Sequence, residues 1–189
     1  MTFAPELGPL GPLLGVWEGE RGTDLSPSDK PDNNRAPVTS RFRERMVFEA
    51  TGRVDNHEQK MYGLRYSTRA WRIDAPDAFH EELGYYMWDP ASGVLLRSFM
   101  PPRGIAVLAG ATVAASAREF TLEATAGSEV FGICSSPFLI EEFKTVRYTA
   151  MIRVLDDNTF EYDAHTYMQM KGRPGLFDHR DQNTLRRTS

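Results

Sequence analysis

The sequence predicts an all-β chain folded as a closed antiparallel up-and-down barrel, on three observations. Apolar and polar residues alternate with period two over long stretches. Turn residues separate those stretches at short intervals. No extended segment carries a helical period.

Taken in order, residues 4–14, rich in Pro, Gly and Leu, are expected to form a short helix closing one end, followed by a strand at 15–22. Residues 23–39 (TDLSPSDKPDNNRAPVT) are polar and proline-rich and are expected to be a mobile loop. A strand at 40–50 comes next. From Gln59 to Trp71, Tyr62, Leu64, Tyr66, Thr68 and Ala70 share one face, opposite Arg65, Ser67 and Arg69. Shorter strands are expected at 79–88, 93–100, 104–109 and 118–124, with turns at Asp89-Pro90 and Pro101-Pro102-Arg103-Gly104. Between Phe143 and Val154, Val146, Tyr148, Ala150, Ile152 and Val154 lie opposite Thr145, Arg147 and Arg153. The cluster Asp156-Asp157-Asn158 turns the chain into Thr159 to Met170, which completes a hairpin. With a last strand at 183–188 the total is about ten, enough to enclose a small ligand. Long neighbours joined by short turns favour a barrel over a sandwich. Residues 1–189 read as a single domain.

Composition narrows the partners. A net charge of −4 gives no reason to expect nucleic acid or an anionic membrane. No apolar run approaches the ~18–20 residues of a spanning helix, and the first residues lack the basic and apolar regions of a signal peptide. Cys134 is the only cysteine, so no internal disulfide forms, and a lone thiol suits a reducing compartment. The expected location is the cytoplasm. A closed barrel has no free sheet edge, so a homodimer would have to use side chains or loops.

Several motifs together resemble the nitrobindin family. Residues 10–22 (LGPLLGVWEGERG) resemble its Gly-x-Trp-x-Gly-x-Gly strand: Gly15, Trp17 and Gly19 match, while Arg21 stands at the third glycine and Gly22 follows it. His80-Glu81-Glu82-Leu83-Gly84-Tyr85-Tyr86 resembles the family's His-x-Glu-x-Gly-Tyr-Trp strand. Glu141 to Tyr167 resembles its penultimate hairpin, and residues 183–187 (NTLRR) its closing strand. The resemblance implies a ten-stranded barrel shaped like fatty-acid-binding proteins and lipocalins. It also implies a mouth that in full members holds haem b through a histidine near the last strand. Ferric haem there is associated with binding nitric oxide and isomerising peroxynitrite to nitrate. That histidine precedes the Thr of the closing Thr-Leu-x-Arg by four residues. Here the count lands on Arg180, with His179 one place earlier. One residue of slip reverses the face of a strand side chain, so a member without tightly bound haem is expected. His179 as iron ligand is the alternative.

The remaining chemistry is sparse. His57, His80, His165 and His179 show no metal-ligand spacing, so no metal site is expected. His80 and Glu82 share a strand face that Glu81 does not, and His165 is expected on an outer face with Asp163 and Tyr167. Trp17 reads as a plug for one barrel end, its N–H requiring a partner. Arg65, Arg69, Arg147 and Arg153 are expected mostly outward. Met46, Phe48, Tyr62, Tyr66, Tyr148, Ile152, Met168 and Met170 are the candidate cavity lining. No nucleophile elbow or phosphate loop occurs. The expected activity is binding of a small hydrophobic or amphipathic ligand. A haem enzyme and a protein-interaction module built on loop 23–39 are the competing classes.

Overall fold

The computed structural model describes residues 5–30 and 34–188. Among these, twelve strands form: β1 (Gly15–Pro27), β2 (Pro37–Ala50), β3 (Val54–Asn56), β4 (Gln59–Arg72), β5 (Ala78–Asp89), β6 (Val94–Met100), β7 (Ile105–Thr112), β8 (Glu119–Thr125), β9 (Ile133–Ser135), β10 (Phe143–Asp156), β11 (Thr159–Met170) and β12 (Leu176–Arg187). All pairings are antiparallel. Ten strands make a closed ring in chain order, sealed by β1 with β12 and by β2 with β4; β3 and β9 are appended to β4 and β7.

Alternation decides what faces in. On β4, Leu64, Tyr66, Thr68 and Ala70 are buried, while Arg65 and Arg69 point out and pair with Glu49 (2.8 Å) and Glu81 (2.5 Å). Arg147 and Arg153 are likewise outside, on Glu123 and Glu119. Such exposed pairs contribute little each.

Register shifts change that parity, notably in β1 and β10. Gly19 pairs with Glu44 and Gly22 with Phe42, so β1 spends one residue more than β2 over the same stretch. Inward positions therefore pass from Trp17 and Gly19 to Gly22 and Asp24. This accounts for the glycine displaced by Arg21: a Cβ on Gly22 would lie 2.4 Å from the Phe42 ring. On β10, Thr145 pairs with Met168 and Arg147 with Tyr167, leaving Val146 as the extra residue. Thr145, expected outward, is buried, and Val146 is only half-buried.

One end is plugged. The segment Pro5–Leu13 makes two short 3₁₀ turns that bury Leu7, Leu10 and Leu13. Trp17, wholly buried, donates its Nε1–H to the Leu13 carbonyl at 2.7 Å and meets Phe160 edge-on at 4.8 Å. The Arg187 guanidinium covers the ring at 4.1 Å. Gly15, with φ 123°, makes the reversal from plug to strand that other residues resist. Gly19 leaves room for Asn183, whose amide nitrogen would sit 2.5 Å from a Cβ.

The expected loop at 23–39 is strand at both its ends, since β1 runs to Pro27 and β2 begins at Pro37. Residues 31–33 of it, and residue 4 of the expected helix, lie outside the described residues. Asp24, which looked loop-like, faces the barrel interior. The closing strand also starts earlier than residue 183, at Leu176.

Trp17→Ala should therefore lower stability by about 3–5 kcal/mol, measured by urea unfolding. Trp17→Phe should cost less, keeping ring packing but losing the bond to Leu13.

Candidate functional site

Between the plug and the opposite end lies a cavity of about 200 Å³. Its wall is largely apolar, with Met46, Phe48, Ile152, Phe160 and Met168 among the side chains that reach it. At the far rim stand Phe79, 43% exposed, and the exposed Arg103. Leu139 also reaches the cavity there. It is carried by the short helix α1 (Pro137–Glu142), which starts on a proline with Ser136 as N-cap.

A guanidinium occupies the middle of the barrel. Arg97 shares the inward face of β6 with Leu95 and Phe99. Its Nε donates to the Tyr66 hydroxyl at 3.0 Å, one terminal nitrogen to the Tyr148 hydroxyl, and the other to Glu82 Oε1 at 2.6 Å. Tyr66 also donates to Glu82. Burial pushes the Glu82 carboxyl up, but the Arg97 charge, the nearby His80 and the hydrogen bond from Tyr66 outweigh it and hold the pKa at about 2. Burial drives the Tyr66 and Tyr148 hydroxyls well above their ordinary range, so both remain neutral donors.

A second polar group lies nearer the rim. Asp24, almost wholly buried, meets Arg72 at 2.8 Å and His179 Nε2 at 2.9 Å. Burial raises its carboxyl pKa, but those two partners bring it below the usual range. Glu44 accepts from Asn183 at 2.8 Å and from Tyr162 at 3.2 Å. Burial dominates there and pushes the pKa to about 8, so Glu44 is protonated at neutral pH. His80 stands 3.8 Å from Glu82. Its pKa and that of His179 are lowered by burial but raised on balance by neighbouring carboxylates. Asp181 faces the same space, its carboxyl pushed up by burial.

Of the residues singled out from the sequence, Met46, Phe48, Tyr66, Tyr148, Ile152 and Met168 meet on the cavity, as does His179. Tyr62 and Met170 do not line it: Tyr62 lies opposite Trp88 beside the plug, and Met170 opposite Phe143 at the rim. Arg180 is on the outer face, bonded to Asp163. His165 is outside too, bonded to Asp178 and stacked on Tyr167. Gly15, Trp17 and Gly19 belong to the plugged end. Arg97, Glu82, Asp24, Glu44 and Asp181 were not anticipated as cavity residues. For Arg97 and Glu82 the signal was present, because each shares strand parity with large apolar neighbours, Leu95 and Phe99 or Tyr86 and Trp88. For Asp24 it was hidden by the bulge. Among the described residues, no three His, Cys, Asp or Glu are disposed to hold a metal ion together, and no helix is long and apolar enough to cross a membrane.

A closed β-barrel around a small, mostly apolar cavity defines the class: a ligand-binding barrel. The model of the THAP4-like, heme-binding beta-barrel domain matches residues 6–187, and the chain belongs to that family. The fold is also that of Rv2717c from M. tuberculosis, solved by crystallography, at 23% identity and a TM-score of 0.63 over 100% of both chains. The nitrobindin resemblance read from the motifs agrees with both findings. No curated protein matches the chain.

Glu82→Gln breaks a buried ion pair and should destabilise the barrel by about 3–5 kcal/mol at neutral pH. The contribution of Glu82 is present above its ordinary pKa of 4.5 and lost as pH falls toward about 2, so the variant should show a flatter acid limb. Glu44 has the opposite sign. Between 4.5 and about 8 the folded state keeps a proton that the unfolded chain releases, so stability falls as pH rises. Glu44→Gln should remove a slope of up to about 1.4 kcal/mol per pH unit in that window, measured by denaturant unfolding across pH.

Proposed function

We propose that this chain binds a small amphipathic molecule inside the barrel and does not hold haem tightly. The cavity carries this proposal: a largely apolar chamber, plugged at one end and reaching solvent-exposed residues at the other, into which charged and hydroxyl side chains project from several strands. About 200 Å³ exceeds the roughly 150 Å³ that admits benzene and falls below the roughly 300 Å³ where drug-sized pockets begin. A compact ligand fits.

The family description names haem, but the residues present fit haem poorly. His179 spends Nε2, the nitrogen farther from its backbone, on Asp24. Moving it to iron would strip a buried carboxylate of one of its two cationic partners. Asp24 and Glu82 are ionised and buried on this wall, which opposes the negative propionates of haem.

The first test is titration of purified protein with ferric haem, followed by absorption. No saturable Soret shift at one equivalent is expected, in the native chain or in His179→Ala. A stoichiometric shift lost in His179→Ala would overturn the haem-free assignment. Solvent extraction of protein isolated under native conditions, with mass spectrometry, should release a compact amphipathic molecule.

A further inference from the structure

We propose that the ligand is a small amphipathic cation whose charged nitrogen pairs with the carboxylate of Asp181. This depends on the interior being a ligand site, as argued above, and specifies the ligand's charge.

Four carboxyl groups reach the cavity, and three are engaged. Glu82 has Arg97 and Tyr66. Asp24 has Arg72 and His179. Glu44 has Asn183 and Tyr162. Asp181 makes no hydrogen bond or ion pair with any of the described residues. Every fully enclosed polar side-chain atom among them does have a partner. The Asp181 oxygens are therefore accessible from the cavity that the residue lines.

Strand register worsens the position of Asp181. It stands directly across from Asp24 on β1 and from Ala164 on β11. Like charges facing across a ladder repel, and alanine offers no compensation. With Asp24 matched by Arg72 and Glu82 by Arg97, Asp181 is the one carboxylate in this wall without a permanent counter-charge. Histidine is the local substitute. His179 lies two residues away on β12, His80 faces it from β5, and protonation of either supplies the missing charge. Asp24, Glu82, Glu44 and Tyr162, from β1, β5, β2 and β11, also act on the same space. Only the first two carry negative charge at neutral pH.

An anion finds less. All three nitrogens of Arg97 are already bonded, and Arg103 is exposed at the rim. A cation whose apolar body lies against Phe42, Phe79 and Met168 would give Asp181 a charge-assisted bond in a poorly solvated place, where such bonds are strong. It would also compete with the histidine protons. Its binding should therefore strengthen as pH rises and His80 and His179 discharge.

Three probes of matched size separate the possibilities: benzylammonium, benzyl alcohol and benzoate, titrated into the full chain by calorimetry. Benzylammonium should bind roughly tenfold or more tightly than the alcohol. Asp181→Asn should erase that preference for benzylammonium over benzyl alcohol. In the native chain, benzylammonium affinity should rise between about pH 5.5 and about pH 8. Benzyl alcohol or benzoate binding as tightly as benzylammonium would overturn the cation proposal and leave the ligand cavity standing. Failure of all three probes to bind would count against the cavity as a ligand site as well. If Asp181→Asn does not fold, the native pH series decides, and an affinity that is flat or falls with pH overturns the proposal.

Discussion

A guanidinium in the middle of a barrel must find its counter-charge there, because removing it from water is tolerated only when it is paired and hydrogen-bonded. Arg97 meets that condition through Glu82, Tyr66 and Tyr148, which reach it from three other strands. Much else follows from this knot. It ties β4, β5, β6 and β10 together across the interior. Bonded once from each of its nitrogens and paired with Glu82, Arg97 has its charge matched within the barrel.

Other inward polar groups owe their orientation to backbone irregularities. Without the bulge after Gly19, Asp24 would point to solvent, Arg72 would lose its buried partner, and His179 would have no carboxylate to hold Nε2. The bulge at Val146 turns Thr145 inward in the same way. Each places a polar side chain on an otherwise apolar wall. Bulges do this at the cost of one unpaired residue, which is why they recur beside binding sites.

The chain thus combines membership of a haem-associated barrel family with a mouth whose chemistry is acidic and histidine-rich. One fold serves many sites, and the site in this chain is set by which charges its inner wall leaves unmatched. Glu44, kept protonated by burial, and Asp181, kept unpartnered by register, show how strongly the position of a carboxyl decides its state. Burial raises both carboxyls, and they differ in whether a hydrogen-bond partner is present.

How much of this was legible in the sequence depends on the length scale of the interaction. Period-two alternation is local, so the strands from Gln59 to Trp71 and from Phe143 to Met170, the outward arginines, and the shared face of His80 and Glu82 could be read directly. The plug role of Trp17 could be read as well, because a tryptophan beside Gly15 and a Leu-rich entry segment has few other ways to be buried. Parity beyond a bulge could not. A bulge is specified by partners on neighbouring strands, Phe42 for Gly22 and Tyr167 for the pair flanking Val146, that are distant in sequence. Hence 23–39 looked like a loop, and the facing of His179 stayed open. The interior polar network was least legible, since Arg97, Glu82 and Tyr148 come from three strands and Asp24, Arg72 and His179 from three others. The sequence by itself determined that a barrel forms and which stretches build it, because alternation needs only neighbours along the chain. Only the tertiary structure decided which charges are matched inside, because their compensation depends on pairs up to 155 residues apart.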